Sequence, residues 1–355
     1  MATAGDGEAD ERVRIITGDE LGFLKVIDAA SAAALGAASI TQRWGEGDKA
    51  SGVVRLAATP LTSQEHLLVV GRASGALDVL STVDGALVAT AALPGVGGGS
   101  DVTITGVGFV PSPGGPSSII ACTSDGHVIT FKVEGAALEE ASRWQVPLPV
   151  NPKKGSLDCL AVSPNGQEIA TGGEGTELAM YNLETHEATF KVKPPKPDRL
   201  GMVPRPWISA VSYFPGEGSR KVICGTGSNL GKGRVLVYDA AVQRRALTTI
   251  EYGETKITSV AADAGGLHGY AATGAGDLSR FDLRAAKAEG AFKGPAGSVR
   301  ALALHPSMPL IASAGLDRFA RVHTTGTRKA VGKVYAKIPM TGVVFAAPPE
   351  VVVAG

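Results

Sequence analysis

Few groups of residues in this sequence could do chemistry, and each lacks a part that its chemistry requires. The run Gly225-Thr226-Gly227-Ser228-Asn229-Leu230-Gly231-Lys232-Gly233 has the glycine density of a phosphate-cradling loop. A nucleotide loop needs glycine six residues before its lysine and a hydroxyl just after it. Thr226 and Gly233 stand at those positions, and no helix follows to aim its N-terminus at a phosphate. A Gly-rich insertion between strands is the expectation. The six histidines, His66, His127, His186, His268, His305 and His323, include no i, i+4 pair and no HExxH. His305, before Pro306 at a strand end, reads as a turn residue. Cys122, Cys159 and Cys224 are far apart without CxxC spacing, so they read as core residues in a reducing compartment. No GxSxG elbow occurs. Asp125 and Asp317 sit in short bends, Ser124-Asp125-Gly126 and Leu316-Asp317-Arg318, where a carboxylate fixes a turn by accepting backbone N–H groups. The expectation is no catalytic residue, no cofactor, no metal ion and no small-molecule substrate.

The elements that would position such residues are short strands. Gly is abundant at 47 of 355 residues and aromatics are only 5%, a composition of turns and strands more than helices. Residues 157–195 show the unit. Leu157-Asp158-Cys159-Leu160-Ala161-Val162 enters a Ser163-Pro164-Asn165-Gly166 turn, and Glu168-Ile169-Ala170-Thr171 ends in Gly172-Gly173. Leu178-Ala179-Met180-Tyr181-Asn182 and Ala188-Thr189-Phe190-Lys191-Val192 follow, the latter stopped by Pro194-Pro195. First strands of the same unit recur near Val53, Val102, Leu157, Ile208, Ile257, Val299 and Thr341, the last intervals being 42 to 51 residues. Four strands in about 40–45 residues mark a β-propeller blade of the WD type. Third strands end in a large apolar residue plus a polar one, as in Ile27-Asp28, Tyr181-Asn182, Tyr238-Asp239, Phe281-Asp282 and Val322-His323, where a Trp-Asp pair would stand.

Second-plus-third strand pairs fall at 15–28, 67–80, 119–133, 169–182, 222–239, 270–282 and 310–323. The first pair lacks a first strand, and the strand at 341–345 has nothing after it. The two ends therefore predict closure in one blade, which removes the open edges of the sheet. The fold expected is all-β, a seven-bladed propeller over residues 12–345, with an acidic N-terminus at 1–11 and a short tail at 346–355. Met1 to Glu11 has no apolar core of a signal peptide, and no apolar run approaches the ~20 residues that span a bilayer. A soluble intracellular protein with no membrane contact is the expectation.

Lys+Arg and Asp+Glu are both 34, which argues against a wholly basic nucleic-acid binder. The balance hides an asymmetry. Residues 191–234 hold nine basic and two acidic residues, while residues 1–48 hold nine acidic and four basic ones. In a propeller, loops from fourth to next first strands share a face with bends between second and third strands. Residues 194–206, 226–234, 251–256, 293–298 and 316–319 then lie on one face, with Trp207 nearby. Arg199, Arg205, Lys232, Arg234 and Arg318 are the candidate partner-binding residues there. Arg244 and Arg245, between third and fourth strands, are expected on the opposite face as a second contact.

Several strings, in order, resemble the Nop-seven-associated WD-repeat protein family. They are Val237-Tyr238-Asp239 with Gln243-Arg244-Arg245, Tyr252-Gly253-Glu254, Ala296-Gly297-Ser298-Val299-Arg300 with His305-Pro306-Ser307, Gly315-Leu316-Asp317-Arg318-Phe319 with Arg321-Val322-His323, and Lys333-Val334-Tyr335-Ala336-Lys337. The resemblance covers about residues 170–345. It implies a seven-bladed propeller acting as a non-catalytic scaffold in nucleolar precursors of the large ribosomal subunit. The partners it implies are other assembly factors, neighbouring pre-ribosomal RNA and a AAA-type ATPase linked to release. The residues alone leave open a general WD-repeat adaptor, such as a ubiquitin-ligase substrate receptor or a trafficking-complex subunit.

Overall fold

The computed structural model describes residues 12–112, 115–150, 155–194, 205–216, 220–227 and 232–349. The chain opens with β1 (Val13–Asp19), β2 (Leu24–Ala29) and β3 (Ile40–Trp44). Blade two is β4 (Val53–Ala58), β5 (Leu67–Arg72), β6 (Ala76–Ser81) and β7 (Leu87–Ala92). Blade three is β8 (Ile104–Ser112), β9 (Gly115–Thr123), β10 (His127–Glu134) and β11 (Ala137–Gln145). Blade four is β12 (Cys159–Val162), β13 (Glu168–Gly173), β14 (Thr176–Asn182) and β15 (Ala188–Lys191). Blade five is β16 (Ile208–Tyr213), β17 (Lys221–Thr226), β18 (Arg234–Asp239) and β19 (Thr248–Glu251). Blade six is β20 (Ile257–Ala262), β21 (His268–Thr273), β22 (Leu278–Asp282) and β23 (Lys287–Ala291). Blade seven is β24 (Val299–Leu304), β25 (Leu310–Gly315), β26 (Phe319–Thr324) and β27 (Ala330–Tyr335). The last strand, β28 (Met340–Ala346), pairs with β1 and completes blade one.

Each blade is an antiparallel meander, and the outer edges of blades two and three are bridged by a single parallel pair, Ala137↔Thr90. The first strands β4, β8, β12, β16, β20, β24 and β28 lie side by side and close a ring. This all-β propeller is the architecture the repeats predict.

The core sits between blades, not within them. Every second strand is buried on both faces, because each face meets a different neighbouring blade; β25 is buried at all six positions and β1 at all seven. That is why second strands read as continuous apolar runs and not as alternation. The seams are distinct clusters. Ile16, Leu24 and Val26 of blade one meet Val53, Leu68 and Val70 of blade two, and Val237 and Ile250 of blade five meet Ile257 and Phe281 of blade six. Fourth strands face solvent and alternate sparsely, as in the pattern of β15, with Phe190 alone buried.

Closure is antiparallel, running Arg14↔Ala346, Ile15↔Phe345 and Ile16↔Val344 through to Asp19↔Met340. Met340, Val343 and Phe345 are buried in the seam between blades seven and one. Among the described residues, two short 3-10 turns escaped the strand pattern, one of them Lys49–Ser51 just before β4. Residues between β2 and β3 form a short 3-10 turn, Ala32–Ala37, whose Leu35 is 1% exposed and packs into the same seam.

The bends carry the polar fixtures. Asp317 Oδ1 accepts the Phe319 N–H (3.2 Å), and Oδ2 accepts the Ala296 N–H (3.1 Å) and the Arg321 guanidinium (2.5 Å). The Asp125 carboxylate meets Thr123 Oγ1 and His127 Nδ1. At the ends of third strands, Asp282 Oδ1 accepts the Arg284 and Ala285 N–H groups at 2.8 Å, and Asn182 and Asp239 act likewise. His305 accepts the Ser307 and Met308 N–H groups, the turn role expected of it. Part of the acidic N-terminal sector is internal. Asp19 is paired with Lys25 at 2.5 Å, both buried, and Asp28 grips Arg14, so neither is available as a docking charge.

Removing residues from Thr341 onward should strip β1 of its partner and open two seams. The loss of Val343 and Phe345, two large buried side chains at roughly 1.5–3 kcal/mol each, is a large share of the ~5–15 kcal/mol that holds a domain together. The truncated chain should melt far lower or aggregate; a monomer with unchanged melting temperature would show that the ring closes elsewhere. Asp317→Ala should cost about 3–5 kcal/mol, since it strands the Arg321 charge in a nearly buried site. Chemical denaturation checks this, and a loss below ~1 kcal/mol would assign the bend to its backbone alone.

Candidate partner-binding groove

Arg205 precedes β16, and Lys232 and Arg234 lie where the bend between β17 and β18 returns. They share the face predicted for them, and more: all three line one cavity of about 400 Å³ between blades four and five. Its wall is mostly apolar, built by Val192 from blade four and by Ile208, Leu236 and Tyr238 from blade five. Trp207 stands at its head. The indole Nε1 donates to Asp158 Oδ2 (2.7 Å), Gly227 N–H donates to the Trp207 carbonyl (2.9 Å), and Lys256 Nζ lies 4.9 Å from the ring centroid.

The basic residues are not free arms. Lys232 Nζ is 2.8 Å from Glu251 Oε2, and Arg234 Nη2 is 3.7 Å from Glu251 Oε1. The hydrogen bond from Lys232 holds the Glu251 carboxyl below its ordinary range. Arg205 Nε lies 4.0 Å from Glu174 Oε1 and packs over Gly175. Elsewhere in the basic stretch, Arg220 is paired with Glu168 at 3.1 Å, and Lys221 lies 4.5 Å from the Phe214 ring centroid. Arg199 lies outside the described residues.

Arg244 and Arg245 correct the expectation of a separate contact on the opposite face. Their loop folds onto the end of β15. The Arg244 carbonyl accepts the Lys193 N–H (2.8 Å), and Arg244 Nε donates to the Lys191 carbonyl (2.6 Å). Arg244 thus fastens blade five to blade four, and exposed Arg245 joins Arg205, Lys232 and Arg234 around the same cavity. Arg318 does not join them. It sits two blades on, exposed, with a left-handed backbone (φ 67°).

One groove residue carried no signal in the charge pattern. Glu177 of β14 is half-buried in the wall, and burial pushes its carboxyl up. It has no hydrogen bond or ion pair among the described residues. A lone acid between Thr176 and Leu178, in an otherwise apolar strand, was the clue in the sequence. Of the Gly-rich run, Gly225 and Thr226 end β17 and Gly227 lies under the indole; residues 228–231 lie outside the described set. The three thiols are buried and pushed up by desolvation, Cys122 to about 12, so they are protonated at neutral pH. Basic rim, apolar wall and aromatic head make a slot suited to an extended segment with an apolar anchor and acidic neighbours.

A Cβ on Gly227 would fall 2.0 Å from an indole carbon of Trp207. Gly227→Ala should therefore push the indole off Asp158 and reshape the groove, changing the tryptophan fluorescence with a stability loss of about 1–3 kcal/mol. An unaltered spectrum would mean that the indole is not seated there.

Comparison with known proteins fits this geometry. The WD domain, G-beta repeat model matches residues 287–324, which begin at β23 and end with β26. WD repeat-containing protein 74 of Homo sapiens is 37% identical over 172 residues, 48% of this chain and 43% of that protein. Its counterpart in Bos taurus is 36% identical over the same share. The matched segment thus spans less than half the length of these relatives. The chain carries a WD repeat and, over about half its length, is similar to WD repeat-containing protein 74, the Nop-seven-associated family.

Proposed function

We propose that the chain is a non-catalytic scaffold in ribosome biogenesis that docks assembly factors of the large-subunit precursor in the nucleolus. The groove between blades four and five carries this reading. Arg205, Lys232, Arg234 and Arg245 converge there on an apolar wall, an arrangement suited to holding a partner segment and not to turning over a substrate. The resemblance to the Nop-seven-associated family supports the choice of partners: assembly factors, a AAA-type ATPase that governs release, and nearby pre-ribosomal RNA. Charge-assisted contacts to carboxylates set register and on-rate, while the apolar wall and Trp207 supply most of the affinity.

The test is affinity capture from nuclear extract. Wild-type protein should recover large-subunit precursors with their assembly factors. The triple variant Arg205→Glu, Lys232→Glu, Arg245→Glu should lose them by about tenfold or more, roughly 1.4 kcal/mol. Lys232 and Arg245 are exposed, so reversing their charges should cost little stability, and half-buried Arg205 should account for most of any fall in melting temperature. Arg318→Glu, two blades away, should retain capture. Recovery of a ligase or coat complex instead would assign a general adaptor role. A steep fall of affinity with salt would count RNA phosphate among the contacts, and a flat response would leave protein partners alone.

A further inference from the structure

The mouth of the central channel is built by one irregularity repeated around the ring. Near the start of the first strands the register slips by one residue, between Val53 and Arg55, Ile104 and Gly106, Ile208 and Ala210, Ile257 and Ser259, and Val299 and Ala301. Thr341 is skipped likewise between Met340 and Gly342. Several of the extra residues carry a hydroxyl that crosses to the next blade. Thr341 Oγ1 donates to the Val53 carbonyl (2.6 Å), Ser209 Oγ to Ile257 (2.6 Å) and Thr258 Oγ1 to Val299 (2.5 Å). Blade two has Val54 at this position, and Arg55 makes the link instead, Nε to the Thr105 carbonyl at 2.7 Å.

Blade seven breaks the rule. Its extra residue is Arg300, exposed, with no hydrogen bond or ion pair among the described residues. Its side chain lines the mouth, a cavity of about 600 Å³, together with Arg55. Arg55 is satisfied only by carbonyl oxygens: Thr105, Val54 (3.0 Å) and Asp158 (3.2 Å). Burial pushes its guanidinium below the usual range; the charge of Asp158 opposes that shift, and the charge of Arg300 adds to it. No carboxylate forms an ion pair with either arginine among the described residues. The carboxylate of Asp158 is already engaged by Ser156 Oγ (2.9 Å), Trp207 Nε1 (2.7 Å) and Lys256 Nζ (3.6 Å). Lys49, Arg55, Lys256 and Arg300 thus face only Glu20 and Asp158 in this mouth. Four cations against two carboxylates, one of them already engaged, leave this mouth with a positive excess that an anion would relieve.

We propose that the channel mouth binds a single phosphate group, free or esterified, between the guanidiniums of Arg55 and Arg300. Planar guanidinium forks match a tetrahedral oxyanion, and the remaining N–H groups of Arg55 together with all those of Arg300 are the donors. This site is separate from the groove between blades four and five, and its occupancy does not depend on the scaffold reading.

Isothermal titration with inorganic phosphate, at an ionic strength matched with chloride, tests the site. Saturable binding should appear with one site per chain, and Arg300→Ala should weaken it at least tenfold. Arg318→Ala, an exposed arginine on the same face, should bind as wild type does. Arg55 supports the ring, so the proposal is judged on Arg300. O-phosphoserine in the second arm distinguishes the sources: tighter binding than inorganic phosphate assigns an ester, and binding of inorganic phosphate alone assigns the free ion. Absence of saturable binding by either probe, equal binding of acetate, or full retention in Arg300→Ala overturns the assignment.

Discussion

The structure depends on the pairing of β1 with β28. The apolar core is divided among the seams between blades, and each blade needs both neighbours to bury its two faces. A ring of such units is stable only when complete, because an unfilled gap exposes two apolar faces and two rows of unpaired backbone groups together. The ladder from Arg14↔Ala346 to Asp19↔Met340 ties residues more than 300 apart and makes the last seam equivalent to the rest. Thr341 and Leu35 reinforce that closure from opposite sides, one across the channel mouth to blade two and one at the outer seam.

The same geometry governs where polar groups can be placed. Buried strand positions on both faces leave room for charge mainly at strand ends, so aspartates fix bends and hydroxyls cross between first strands. A charged residue in such a strand must be paired, as Arg321 is with Asp317 and Lys25 with Asp19. Glu177 and Arg300 escape this requirement because each borders a cavity, and that is what makes them conspicuous. The propeller therefore separates charges that hold the fold from charges turned toward a cavity, by position within the blade.

The basic stretch shows how folding and docking share residues. Lys232 and Arg234 straddle Glu251, and Arg220 holds Glu168 across the joint between blades five and four. The exposed pairs on Glu251 exchange partners at small cost, whereas Glu168, 12% exposed, is held in place. An incoming acidic segment competes with Glu251 for Lys232 and Arg234, whereas Arg245 is exposed and has no partner to give up among the described residues.

Blade repeats, turn positions and closure were legible in the sequence because they rest on local signals. Pro-Asn-Gly turns, short apolar runs and an orphan first strand at 341–345 need no knowledge of neighbours. The apolar-hydroxyl pairs Ile104-Thr105, Ile208-Ser209, Ile257-Thr258 and Met340-Thr341 were also written there, though their meaning waited on the bulges that aim them. Tertiary structure alone decided the charges. The sequence placed Arg205, Lys232 and Arg234 on one face, but it could not show that Glu251 lies between two of them. It could not show that the loop carrying Arg244 and Arg245 folds back onto blade four, nor that Arg55 and Arg300 line one channel mouth. These residues belong to different strands or blades. Their distances are set by how the sheets twist and pack around the axis, and no period along the chain encodes that.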